Sequence, residues 1–117
     1  AAVADTVVAR WFTPGFAAAR PDVVAAIRTQ LASTPPEGYA GCCEAIKDMD
    51  QRPDLPAITA STLVIAAEGD PSTPPAHART IAGLIPRARL RVLDRGAHLV
   101  NVEEPSLVTP LITAHLG

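Results

Sequence analysis

The stretch from residue 62 to residue 104 constrains the fold more than any other part of the chain. It opens with Thr62 to Ala67, a short apolar run rich in β-branched residues, which is typical of a strand buried on both faces of a parallel sheet. A helix is expected from Pro75 to Leu84, because proline suits the first helical turn and Pro86 cannot continue a helix. Apolar residues at positions 90, 92 and 93 predict a second strand. The order strand, helix, strand predicts two parallel strands joined by a crossover.

Two polar side chains follow the carboxyl ends of these predicted strands. Asp70 lies in GDPSTPP after the first strand, and His98 lies in GAHLVN after the second. Because parallel strands end at the same edge of a sheet and neighbouring strands lie ~4.8 Å apart, we expect the two side chains to meet. An aspartate bound to one imidazole nitrogen fixes the tautomer and leaves the other nitrogen free to take a proton. Asp70 also suits a plain turn and His98 an ordinary loop, so these alternatives stay open.

These segments resemble a known family. GDPSTPP, then a helix, a strand and GAHLVNVEEP, is similar to the acid and histidine segments of α/β-hydrolases, whose triad runs Ser, then Asp or Glu, then His. Upstream, RWFTP at residues 10–14 and TPPEGYAGCCEAIKDMD at residues 34–50 resemble the cap region of 3-oxoadipate enol-lactonases. The resemblance covers nearly the whole chain. It implies that Asp70 and His98 are the catalytic acid and base.

The resemblance also implies an activity, the hydrolysis of 3-oxoadipate enol-lactone to 3-oxoadipate in bacterial aromatic degradation, with no cofactor. The substrate is a small anionic lactone. Trp11 is expected to line its pocket beneath the cap or simply to pack a helix. Arg10 is expected to bind a substrate carboxylate or to remain a solvated surface side chain. Another esterase or C–C hydrolase of this fold, or a non-catalytic hydrolase-like binding module, remain alternatives.

One departure from the family pattern changes the expected role of the chain. The nucleophile elbow G-x-S-x-G does not occur among the 117 residues. The resemblance therefore implies that the nucleophile serine and the oxyanion hole precede Ala1, and that this chain is the inactive C-terminal half of an enzyme. Two parallel strands with apolar faces leave open edges, so we expect the chain to pair with the missing half or to self-associate.

Helical patterns alone precede the first strand. Helices are expected over residues 1–11, from Pro21 to about residue 32, and over residues 38–49. The face of the first helix is predicted to carry Val3, Val7, Val8 and Trp11. The third helix is predicted to bury Tyr39, Cys42, Cys43 and Ile46. The change from helices to strands predicts a helical cap at residues 1–52 and the C-terminal part of an α/β-hydrolase core at residues 53–117.

A last helix is expected to begin at Glu103 and Glu104, which are predicted to do no chemistry, and to run to Gly117. Pro110 lies inside it, removes one backbone donor and is expected to bend the helix or delay its start. His77 and His115 are interpreted as solvated side chains rather than as ligands.

The composition argues against several classes of function. A net charge of −2 offers no attraction to nucleic acid or to an anionic membrane. No apolar run approaches the ~20 residues of a membrane-spanning helix. No metal is expected, because no histidine, cysteine and acidic residues share metal-ligand spacing. Cys42 and Cys43 are interpreted as two reduced thiols and indicate a cytoplasmic protein. A cysteine nucleophile paired with His98 is the less favoured alternative.

Overall fold

The computed structural model describes residues 3–117, which form two parallel strands with helices before, between and after them. The helices before the strands are α1 (Ala4–Trp11), α2 (Pro14–Ala19), α3 (Pro21–Ala32) and α4 (Pro36–Lys47). After a short 3-10 turn at Leu55–Ala57 come β1 (Thr62–Ala67), α5 (Pro75–Leu84), β2 (Ala88–Leu93), α6 (Val100–Glu103) and α7 (Pro105–Leu116). None of the helices described is long and apolar enough to cross a membrane.

The two strands pair in parallel, with register running from Thr62 opposite Ala88 to Ala67 opposite Leu93. Helix α5 connects them and packs on both, whereas α7 packs on β1. Since successive side chains of a strand point to opposite faces, each face of the sheet can pack against one of these two helices. The main apolar cluster contains Ile65, Ala67, Leu93, Val100 and Val108. The parallel crossover confirms the predicted α/β class.

Helix α1 buries a stripe with helical spacing against α3. Ala4, Val8 and Phe12 are the buried residues of this segment, at intervals of four. The predicted face was therefore wrong in part, because Val3 keeps 53% of its surface exposed while Phe12 is 4% exposed. The stripe extends one residue past α1, and the ring of Phe12 stacks at 5.3 Å on Phe16 of α2. Residues 1 and 2 of the predicted first helix lie outside the described residues.

Helix α4 corrects a second prediction. The predicted buried stripe is largely exposed: Cys42 and Cys43 are exposed thiols and Ile46 keeps 64% of its surface in solvent, whereas Tyr39 is partly buried. The apolar residues of this stripe recur at helical spacing, but nothing among residues 3–117 covers them. Sequence periodicity shows which face of a helix is apolar, and only packing decides whether that face is covered. Both thiols are free, which agrees with the predicted reduced state.

The C-terminal helix is divided, although the sequence predicted one last helix that begins at Glu103 and Glu104. Helix α6 ends at Glu103, and α7 begins at Pro105. Between them, Glu104 adopts φ −126° and ψ 55°, outside the helical region. The cause is local, because the ring of Pro105 clashes with a helical conformation at the residue before it, while proline itself suits the first turn of α7. Pro110 lies inside α7, which runs on to Leu116.

Candidate active site

Asp70 and His98 meet at the carboxyl edge of the sheet, as the crossover predicts. Asp70 follows β1 and His98 follows β2. His98 Nδ1 lies 2.9 Å from Asp70 Oδ2. Asp70 is 8% exposed, and the His98 side chain keeps 31% of its surface open. The pair thus combines a buried acid with a base that solvent or a substrate can reach.

The loop after Asp70 supplies hydrogen-bond donors to the Asp70 carboxylate. The backbone N–H groups of Ser72 and Thr73 donate to Oδ1 at 2.7 and 3.0 Å, and the Thr73 hydroxyl donates to Oδ2 at 2.7 Å. Burial raises the pKa of Asp70, but the hydrogen bonds from Thr73, His98 and Ser72 outweigh it and lower that pKa to about 2. The carboxylate is therefore ionised at neutral pH and only accepts hydrogen bonds. It follows that His98 Nδ1 carries the hydrogen, which leaves Nε2 as the basic nitrogen.

The acid loop and the histidine loop touch through two glycines. A Cβ atom added to Gly69 would lie 2.6 Å from the carbonyl oxygen of Gly96. Gly96 has φ +87°, a left-handed conformation that favours glycine, and a Cβ there would lie 2.5 Å from Val100 Cγ2. A side chain at position 69 would force the two loops apart, and one at position 96 would displace Val100, so the glycines allow Asp70 and His98 to approach.

The two predicted substrate-binding residues lie at the end of α1, against both loops. The ring of Trp11 stacks on that of His98, with centroids 6.2 Å apart and planes inclined by 29°. The carbonyl of Trp11 accepts the N–H of Leu99 at 3.0 Å. Arg10 Nη2 donates to the carbonyl oxygen of Pro71 at 3.2 Å. Trp11 and Arg10 therefore connect the helical region to the loops that carry Asp70 and His98, and their contact with substrate stays a prediction.

Glu103 is a site residue that sequence reasoning missed. Its Oε1 accepts the N–H of Thr13, and its Oε2 accepts the N–H of Ala97 at 2.8 Å. The sequence indicates only an acidic residue at a helix boundary. Thr13 is 90 positions away in the chain, so no local pattern could have revealed this contact.

An open cavity of about 340 Å³ adjoins the Asp70–His98 pair. Its polar lining comes from Asp70, Thr73, His77 and His98, and its apolar lining from Val64, Ile65, Ala66, Ala67, Ala78, Ile81, Ala97 and Val100. Neither Cys42 nor Cys43 lines it, which gives the alternative of a cysteine nucleophile no support. Among residues 3–117 no group of three or more histidine, cysteine or acidic side chains could hold a metal ion. The site offers an acid–base pair beside a largely apolar space.

Comparison with known proteins shows that the likeness covers most of this chain. The family model for the alpha/beta hydrolase fold matches residues 13–105. The 3-oxoadipate enol-lactonase 2 of Acinetobacter baylyi is 39% identical over 112 residues, which cover 96% of this chain and 42% of that protein. The 3-oxoadipate enol-lactonase 1 of the same organism is 33% identical over 96 residues, which cover 82% of this chain and 36% of that protein. The chain spans less than half the length of these relatives.

Solved structures show the same relationship in three dimensions. The enol-lactonase from Burkholderia xenovorans LB400 matches with a TM-score of 0.95 and 39% identity, over 98% of this chain and 44% of that one. A hydrolase from Pseudomonas aeruginosa PA01 matches with a TM-score of 0.92 and 36% identity, over 98% of this chain and 43% of that one. With both strands and the Asp70–His98 pair inside the matched region, the chain belongs to the α/β-hydrolase family and resembles its enol-lactonases over most of its length.

Proposed function

We propose that this chain supplies the acid and the base of a serine hydrolase that opens 3-oxoadipate enol-lactone. The observation that carries the proposal is the contact of 2.9 Å between Asp70 and His98, with the histidine ring still accessible. The similarity to two enol-lactonases supports the choice of substrate. Other esters, and a C–C bond cleaved by the same fold, are the competing substrates.

The nucleophile is proposed to lie upstream of Ala1 in a longer native chain, called the full-length protein below. Two observations support this proposal: G-x-S-x-G does not occur in the 117 residues, and the chain covers 42% of the enol-lactonase it matches over most of its own length. The missing part would also bring the oxyanion hole. The 117 residues alone are accordingly proposed to be inactive.

The proposed reaction follows from the hydrogen bonding of the pair. The upstream serine attacks the lactone carbonyl while His98 Nε2 takes the hydroxyl proton, and Asp70 stabilises the imidazolium that forms. The ring C–O bond breaks, the enol oxygen leaves with the proton from His98, and the enol becomes a ketone. His98 then takes a proton from water, whose oxygen attacks the acyl carbon. The serine ester bond breaks, the proton returns to the serine, and 3-oxoadipate leaves.

Residues 1–52 are proposed to form the cap over the substrate, above a core that includes residues 53–117. The proposed role of Trp11 is to shield the bound lactone, and the stacking of its ring on His98 supports this role. Arg10 uses one N–H for Pro71, and a guanidinium has further donors for a substrate carboxylate. A closed cap would exclude water and strengthen these contacts.

The exposed surfaces support a proposal about partners. The apolar stripe of α4 is open, and β1 and β2 form a sheet of two strands among the described residues. We expect these surfaces to pack against the rest of the full-length protein, or against a second copy when the 117 residues are isolated.

Two free neighbouring thiols, Cys42 and Cys43, support the proposal of a cytoplasmic location.

The deciding experiment measures lactone hydrolysis by the full-length protein and by its His98→Ala variant, with His115→Ala as the matched control on α7. We expect the first variant to lose nearly all activity and the control to keep it. A wild-type protein that hydrolyses simple esters but not the lactone would contradict the proposal that the lactone is the substrate. A wild-type protein that hydrolyses neither, and that does not react with a fluorophosphonate, would favour a non-catalytic binding module.

A further inference from the structure

We propose that Glu103 is a positioning residue, whose carboxylate holds His98 in place by tying the histidine loop to the segment at the end of α1. The inference rests on the proposed hydrolase function and adds to it a connection between the cap and the base. Glu103 touches neither the imidazole nor the acid through a hydrogen bond among the described residues. Its effect must pass through the backbone.

The backbone on both sides of His98 is anchored to the helical region. Ala97, the residue before the base, donates its N–H to Glu103 Oε2 at 2.8 Å, and the other carboxylate oxygen accepts the N–H of Thr13. Leu99, the residue after the base, donates its N–H to the carbonyl of Trp11 at 3.0 Å. His98 is therefore held between two links to the same short segment of the cap region.

The chemistry of these links requires a carboxylate. Both of its partners are backbone N–H donors, and an ionised carboxylate accepts with both oxygens. A glutamine has one oxygen and one NH2 group, so one of the two backbone donors would face another donor. Ala97 is 2% exposed, so water could not readily replace the acceptor if the NH2 group faced Ala97. With the NH2 group turned the other way, Thr13 would lose its acceptor instead. Glu103→Gln thus breaks the link while keeping the size of the side chain.

The same arrangement couples the cap to catalysis. The ring of Trp11 covers His98, and its carbonyl holds Leu99. A shift of the segment around Trp11 and Thr13 would move the backbone on either side of the base. Small misplacements of a catalytic group cost rate because the reacting atoms must be aligned. The cap would then set the position of the base as well as enclose the substrate.

The test compares Glu103→Gln with Glu104→Gln in the full-length protein. Within residues 3–117 the Glu104 carboxylate makes no hydrogen bond, so this neighbour is the matched control. We expect kcat to fall by about 10-fold in Glu103→Gln with KM within about twofold, since misplacing the base slows the chemical step without removing a contact to the substrate. The amides of Ala97 and Thr13 should exchange hydrogen faster. In the Glu104→Gln control, kcat and the exchange rates of both amides should stay at wild-type values.

A second pair of variants removes the other end of the link. Thr13 has φ −68° and ψ 149°, and Phe12 before it is extended, so proline fits position 13. Thr13→Pro deletes the N–H that Glu103 accepts, whereas Thr13→Ala keeps it. Both variants lose the hydroxyl that accepts the N–H of Phe16, so their difference isolates the link. We expect kcat to be several-fold lower in the proline variant than in the alanine variant.

A fluorophosphonate separates this inference from the choice of substrate, because labelling needs the nucleophile and the base but no lactone. Slower labelling of Glu103→Gln than of wild type supports the positioning role even if the lactone is not hydrolysed. Faster exchange at Ala97 with unchanged kcat and labelling rate would overturn it, since the link would then be structural only. Unchanged exchange at both Ala97 and Thr13, or a wild-type protein that resists the probe, would also overturn it.

Discussion

Gly69 and Gly96 lie in contact through their backbones, so closely that a Cβ atom on Gly69 would come within 2.6 Å of the carbonyl oxygen of Gly96. Each glycine belongs to the loop that carries one member of the Asp70–His98 pair. Their contact lets Asp70 reach His98, and it makes the site sensitive to a single methyl group.

The first prediction concerns that methyl group. Gly69→Ala should lower the unfolding free energy by about 1–3 kcal/mol, because the obstacle is backbone rather than a flexible side chain. The control is Gly83→Ala in α5, where a Cβ meets nothing within 4 Å, and there alanine should stabilise the helix by about 0.5–1 kcal/mol. Urea unfolding measures both. Equal stability of the two variants would show that the loops separate without cost.

The second prediction concerns the acid. In the full-length protein, Asp70→Asn should lower kcat by roughly 10⁴, the loss typical of a triad whose histidine adopts the wrong tautomer. Asp94→Asn is the control, since the Asp94 side chain is 87% exposed and, among residues 3–117, pairs only with its neighbour Arg95. Steady-state kinetics on the lactone, or on an ester if the lactone is not a substrate, gives the comparison. A loss below tenfold would argue against a triad role for Asp70.

The third prediction follows from the pKa of Asp70, which hydrogen bonds lower from 3.8 to about 2. A carboxyl whose pKa is lower in the folded protein stabilises the fold above its unfolded pKa, and this stability is lost as the pH falls through the folded pKa. Wild type should therefore lose about 2 kcal/mol more than Asp70→Asn between pH 4 and pH 2. Urea unfolding at several pH values tests this. Parallel curves for the two proteins would contradict the low pKa.

The fourth prediction isolates the hydroxyl of Thr73, which donates to Asp70 Oδ2 at 2.7 Å. Thr73→Val keeps the shape of the side chain and the backbone N–H, so only one of the bonds to the carboxylate is lost. The pKa of Asp70 should rise towards 3.8, and the acid limb of the stability curve should move to higher pH. Thr80→Val is the matched control, because within the described part of the chain the Thr80 hydroxyl donates only to the carbonyl of Ala76 in α5. Acid unfolding followed by circular dichroism compares the variants.

Much of the fold could be predicted because its signals are local. The run at 62–67 and the prolines around α5 mark strand and helix boundaries by their own chemistry, and both strands formed as expected. The errors arose where an element depends on its neighbours. The apolar face of α4 was expected to be buried, yet no described element covers it. The break at Glu104 had a local cause in Pro105, and the prediction of a helix start at Glu103 and Glu104 overlooked it.

The sequence by itself determined that Asp70 and His98 lie at one edge of the sheet, because a strand–helix–strand crossover returns the chain parallel and places both strand ends together. Only the tertiary structure decided what surrounds them. Glu103 binds the N–H of Thr13, which lies 90 positions away in the sequence. Trp11 stacks on His98, which is also distant in the sequence. Such contacts depend on how separate elements pack, which no local pattern of residues encodes.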